Sequence, residues 1–154
     1  MTVVSDTSPI NYLILTEYVF VLHELYGQIV IPGKVFEELS SAGAPEIVRN
    51  WCSAPPNWIQ VRVPSKTDSG LKLTGGEREA VLLAEEIRAD LLLIDERTGR
   101  RAAILRNLFV TGTLGILRAA AEQGLVDREE AIKRLTETSF RASPKMLRFI
   151  ISKG

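Results

Sequence analysis

The stretch Leu91-Leu92-Leu93-Ile94-Asp95-Glu96 decides the fold. It is the most apolar short run in the chain, bounded by Asp90 and Asp95. Four large aliphatic residues in a row leave no polar face, so the run reads as a strand buried on both sides. Such strands lie inside parallel sheets covered by helices. The neighbouring segments agree. Thr74-Gly75-Gly76-Glu77 opens a helix expected to reach about Arg88, and a second helix is expected from Arg97 to about Asn107. Leu108-Phe109-Val110 reads as the next strand, and Thr111-Gly112-Thr113 as the start of the helix after it.

Toward the N-terminus, Thr2 to Ser5 read as a second strand, closed by Asp6-Thr7-Ser8-Pro9. Ser8 is the expected N-cap of the following helix, with Pro9 at its first position. Ile10, Leu13 and Ile14 then recur at helical spacing. A helix over Val19–Leu25 ends at Gly27, and Ile29-Val30-Ile31 is a short strand stopped by Pro32-Gly33. Helices are expected over Val35–Ala42 and Pro45–Trp51. Trp58 to Val63 alternates as a strand, with Ile59, Val61 and Val63 on one face, and Pro64 to Gly70 is a loop. Helices over Asp127–Thr138 and Pro144–Ile151 complete the reading. Strands alternating with helices predict right-handed βαβ units: an α/β domain over residues 1–154 with a mainly parallel sheet.

Composition excludes several classes. Acids and bases are equal at nineteen each, which argues against binding polyanions by bulk charge, while local basic patches remain open. Cys52 is the single cysteine, so an intramolecular disulfide is impossible and a reducing, cytoplasmic setting is expected. No basic region leads into a long apolar core, so no secretory signal is expected. No run approaches the length of a membrane span.

In open α/β sheets, ligands bind beyond the carboxyl ends of the strands. Two of the five aspartates, Asp6 and Asp95, follow the two clearest strands, and Glu96 follows Asp95. If those strands are neighbours, their ends lie roughly 5 Å apart. On its helix, Glu77 shares the stripe of Ala80, Val81 and Ala84, while Glu79 faces away. On an earlier helix, Glu38 flanks the stripe of Val35 and Leu39, while Glu37 points outward. Carboxylates brought this close repel, and a shared divalent cation relieves them. Oxygen donors favour Mg²⁺ or Mn²⁺ over zinc, and the lone histidine, His23, has no partner for a softer site. Each acid also has a structural reading: Asp6 and Asp95 as caps, Thr74-x-x-Glu77 as a capping box, Glu38 as a solvated helix acid. Their joint placement favours the metal.

The segments VVSDTSPINYL, IPGKVFEEL, GGEREAVLLAEE, LLLIDERTGRRAA and VTGTLGIL, in that order, resemble the PIN-domain family, close to its small VapC-like prokaryotic branch. The resemblance implies a three-layer α/β/α sandwich and metal-dependent hydrolysis of phosphodiester bonds, typically in RNA. It assigns the catalytic set to Asp6, Glu38, Glu77, Asp95 and Glu96. Of these, Asp6, Glu77, Asp95 and Glu96 would hold Mg²⁺ or Mn²⁺, with Asp6 central. Thr7 or Ser8 would bond a ligand carboxylate or a phosphate. Thr111, Gly112 and Thr113 offer N–H groups to an anion, or simply cap a helix. Arg97, Arg100, Arg101 and Arg106 would meet RNA phosphates, or form a solvated ion-paired face. An antitoxin protein and a homodimer are further implied partners. Tyr12, Leu13, Tyr18 and Phe20, or the stretch Met146–Ile151, would supply the dimer contact. Glutamate where many members carry aspartate favours a rival: a catalytically silent PIN-like module that binds RNA or protein. A phosphotransfer domain fits poorly, because Thr111-Gly112-Thr113 stands where its lysine would follow the last strand.

Overall fold

A computed structural model describes residues 1–68 and 70–151. Ser69, inside the expected loop, and residues 152–154, inside the expected domain, lie outside the described residues. The elements run β1 (Val3–Ser5), α1 (Thr7–Leu15), α2 (Phe20–Tyr26), β2 (Ile29–Pro32), α3 (Gly33–Ser40), α4 (Glu46–Ser53) and β3 (Ile59–Arg62). They continue with α5 (Gly75–Glu86), β4 (Leu91–Leu93), α6 (Arg97–Leu105), β5 (Val110–Thr111), α7 (Thr113–Glu122), α8 (Arg128–Thr136) and α9 (Pro144–Ile151).

The five strands form one sheet in the order β3-β2-β1-β4-β5, and every pairing is parallel. The two apolar runs pair in register, with Val3 opposite Leu91, Val4 opposite Leu92 and Ser5 opposite Leu93. Strand residues alternate between two faces, and each face has its own core. Val3, Ile29, Ile31 and Leu93 pack with α1–α4 and α7–α9. Val4, Val30, Leu92 and Ile94 pack with α5 and α6, helped by Leu71 and Leu73. The sheet is therefore sandwiched, and the structure is the expected three-layer α/β/α arrangement. Among the described residues no helix is long and apolar enough to cross a membrane.

Several local expectations change. Helix α1 begins at Thr7, with Asp6 at the N-cap position and Pro9 third in the helix. Proline is tolerated there because first-turn N–H groups lack intrahelical acceptors. Among the described residues strand β3 pairs only with β2, so it stands at the sheet edge. Val61 is 45% exposed and Val63, outside the strand, 70%. The apolar N-terminal helices are absorbed internally: Leu13 and Tyr18 are buried in the core, and of the expected dimer residues on α1 and α2 only Phe20 stands well exposed. More fully exposed apolar side chains sit at Ile104, Leu105 and Phe109, around the end of α6.

Leu93 is fully buried in β4, between β1 and β5. Leu93→Ala leaves a cavity there and is expected to cost about 2–5 kcal/mol. The check is urea unfolding: a lower midpoint at unchanged slope.

Candidate active site at the switch point of the sheet

Chain connections run outward from β1 through β2 to β3, then return to β4 on the other side of β1. The sheet's switch point lies between β1 and β4, where a ligand crevice forms at the carboxyl edge. Asp6 leaves β1 there, and its N–H donates to the Leu93 carbonyl at 2.9 Å. One residue past β4, the Ile94 N–H donates to the Thr111 carbonyl at 2.8 Å. These bonds hold the ends of β1, β4 and β5 level, so Asp6, Asp95 and Gly112 follow them into one crevice.

Asp6 is 5% exposed. Its carboxyl is pushed up to about 7, first by burial and then by the negative charges of Glu77, Glu38 and Asp95, with the Thr7 amide offsetting part of the rise. The acids predicted to converge therefore do influence one another. They are not equivalent. Glu38 is clamped: Oε1 accepts from the Thr7 hydroxyl at 2.5 Å and Oε2 from the Gly76 N–H at 2.9 Å. It ties the start of α1 to the start of α5. A Cβ at Gly76 would lie 2.5 Å from Glu38 Oε1, so the clamp needs glycine there.

Asp95 is also engaged by hydrogen bonds. Its Oδ1 accepts from the Thr113 N–H at 2.7 Å, and its Oδ2 from the Ser8 hydroxyl at 2.7 Å and the Thr113 hydroxyl at 2.8 Å. The amide at the start of α7, expected to serve an anion, thus serves Asp95. Ser8, expected to cap α1, instead links α1 to the β4 end. Asp95 does not cap α6; that position belongs to Glu96, which is exposed on the rim.

Glu77 differs again. Thr74 precedes α5 without a side-chain cap bond, so the capping box is not formed. Burial raises the Glu77 carboxyl above its ordinary value, helped by the charges of Glu96 and Glu38. The Gly99 amide faces it and offsets part of that rise, yet buried Oε1 has no partner of hydrogen-bond geometry. A Cβ at Gly99 would stand 2.5 Å from that oxygen. Gly99 was missed in the sequence, although a glycine in the first turn of a helix is itself a signal of close approach.

The donors are hard oxygens without histidine or cysteine. His23 lies elsewhere, its Nδ1 against the Gly27 carbonyl and its ring stacked on Trp58. Among the described residues no three acids are grouped tightly enough to ligate one ion together. That suits Mg²⁺, which commonly takes one or two carboxylates and fills its octahedron with water and phosphate. Glu77, whose charge raises the Asp6 carboxyl, carries a buried oxygen without a hydrogen-bond partner.

Arg97 and Arg100 line the groove that opens from Asp95, with Thr111 and Gly112. Arg101 lines an adjoining hollow. Arg106 leaves the expected cluster, because it pairs with Asp68 at 2.6 Å and Glu85 at 2.8 Å.

A parallel sheet between helical layers, with carboxylates at its switch point, defines a doubly wound α/β protein with an acidic crevice. The family model described as DUF3368, PIN domain, matches residues 2–154, and the chain belongs to the PIN-domain family. PIN domains are generally nucleases and typically use divalent metals. No curated protein and no solved structure matched the chain.

Folded, Asp6 keeps its proton up to about pH 7; unfolded, only up to about 4. Between those values the native state binds more protons, so stability of the metal-free protein falls as pH rises through this window. The raised Glu77 carboxyl acts in the same direction. Asp6→Asn is expected to flatten that slope and to stabilise the metal-free protein at pH 7–8. Urea unfolding at pH 5 and pH 8 measures both effects.

Proposed function

We propose that the protein is a metal-dependent endoribonuclease, hydrolysing phosphodiester bonds with Mg²⁺ or Mn²⁺. One observation carries the reading: buried Asp6 feels the charge of three acids, and one of them, Glu77, has a buried oxygen with no hydrogen-bond partner. Such an arrangement is costly without a cation and favourable with one.

In this mechanism Asp6 and Glu77 would hold the ion, while Glu96 on the rim and Asp95, its carboxylate aimed by Ser8 and Thr113, would position water around it. Glu38 keeps the first turns of α1 and α5 together, so that Asp6 and Glu77 stay in mutual range. A bound divalent ion would lower the pKa of a coordinated water and neutralise charge gathering on the phosphoryl group. Arg97, Arg100 and Arg101 draw the RNA phosphates toward the acids. Thr7 and Ser8 serve the substrate indirectly, through the carboxylates they orient. Residues 1–154 act as one domain, and buried, unpaired Cys52 suits a cytoplasmic setting.

Likeness to the VapC-like branch supports a finer role as the toxin of a toxin–antitoxin pair. An antitoxin protein and a homodimer belong to that proposal. Exposed Ile104, Leu105 and Phe109 favour an apolar contact near α6 over the N-terminal helices.

The second reading is the catalytically silent PIN-like module. It is favoured by glutamate at position 77, whose longer arm changes ligand reach, and by the three hydrogen bonds that Asp95 already accepts. RNA cleavage by the purified protein, with Mn²⁺ and with chelator, separates the two. Cleavage is expected with Mn²⁺ alone, and Asp6→Asn should cost more than the roughly 10–100-fold lost on altering outer-shell groups. Cleavage that survives Asp6→Asn overturns the site, and absence of cleavage with any divalent metal favours the silent module.

A further inference from the structure

A groove of about 1340 Å³ opens from Asp95 and Glu96. It exceeds the ~300–1,000 Å³ of small-molecule sites. One part of its lining is Arg97 and Arg100; another is the C-terminal segment, which contributes Arg141, Lys145 and Arg148. None of these five cations forms an ion pair or side-chain hydrogen bond among the described residues. Other arginines of the same region do: Arg118 pairs with Glu122 and Arg134 with Glu130. Among the described residues the acids on the groove are Asp95 and Glu96, at one end. Charge that stays unmatched among the described residues, along a long groove, is complementary to a polyanion.

Aromatic rings stand among the cations. Tyr12, Phe140 and Phe149 all line the groove. Tyr12 and Phe140 meet edge to face at 5.0 Å, and the Tyr12 hydroxyl bonds the Ser139 hydroxyl at 2.9 Å. The segment is anchored: Ile150 is buried, its carbonyl accepts from Arg128 at 2.9 Å, and the Arg118 guanidinium lies 4.2 Å over the Phe149 ring. α9 is thus held as a wall against α7 and α8.

We propose that residues 139–149 form a strand-binding wall for single-stranded nucleic acid, which leads the phosphate backbone to the acidic crevice. The cations follow the backbone, and Phe140, with Tyr12 beside it, receives base faces. A duplex hides those faces and offers phosphates alone. The inference rests on the nuclease reading for its direction toward the acids, but its test does not need cleavage.

The test is binding of a fluorescent single-stranded RNA 10-mer to the full chain in chelator, read by anisotropy across salt concentrations. Each phosphate contact on a single strand contributes about 0.7 to the log–log salt slope. R141A/K145A/R148A is therefore expected to reduce the slope by about 2, while Arg49→Ala, outside the groove, leaves it unchanged. Phe140→Leu, which keeps apolar volume, should weaken binding about tenfold at an unchanged slope. The single strand should bind tighter than an RNA duplex of equal length and than polyglutamate of equal charge. An unchanged slope in the triple variant, equal affinity for duplex, or equal competition by polyglutamate overturns the proposal. Cleavage in Mn²⁺ with an unchanged slope sinks the wall alone; wall-dependent binding without any cleavage sinks the nuclease reading alone.

Discussion

The Asp6 N–H bonds the Leu93 carbonyl at 2.9 Å, continuing the register that sets Ser5 beside Leu93. A parallel pair shifted by two residues would keep its faces but separate Asp6 from Asp95 by more than 6 Å along the strand. Register here is fixed by burial on both sides. Val3 and Leu93 fill one core while Val4, Leu92 and Ile94 fill the other, so a one-residue slip would exchange every side chain between layers. Apolar packing in the middle of the sheet thereby aligns the acids at its edge.

Within that crevice the carboxylates divide into two kinds. Glu38 and Asp95 are spent on hydrogen bonds, and those bonds are long-range in sequence, joining α1 to α3, α5 and α7. Asp6 and Glu77 carry raised proton affinity because burial and neighbouring charge oppose their ionisation. The first pair stabilises the scaffold and the second holds unfavourable charge in place. A site that destabilises the metal-free fold at neutral pH is the usual companion of function, since activity and stability make different demands on the same groups.

Much of this was legible because the governing signals are local. Leu91–Ile94 and Val3–Val4 contain no polar position, which leaves only a buried strand, and an acid directly after such a strand has to lie at its carboxyl edge. Helical phase was enough to choose Glu77 over Glu79 and Glu38 over Glu37. What stayed hidden depends on partners far along the chain. Ser8 looked like a cap because proline follows it, but Asp95, 87 positions away, takes its hydroxyl. Arg106 looked like part of a basic cluster, yet at the far end of α6 it meets Asp68 and Glu85. Tyr18 and Leu13 looked surplus to a small core, and the C-terminal helices bury them. β3 alternates as a strand does, but alternation cannot reveal that it stands at the sheet edge with Val61 exposed.

If Asp6 and Glu77 hold a divalent cation together, as proposed, thermal unfolding with added Mn²⁺ at pH 7.5 will register it. The wild-type chain should gain stability along a saturable curve, because a ligand that binds only the native state raises its midpoint. Asp6→Asn should start from a higher midpoint and show no such gain. An equal rise in both proteins, or none in the wild type, would contradict the account.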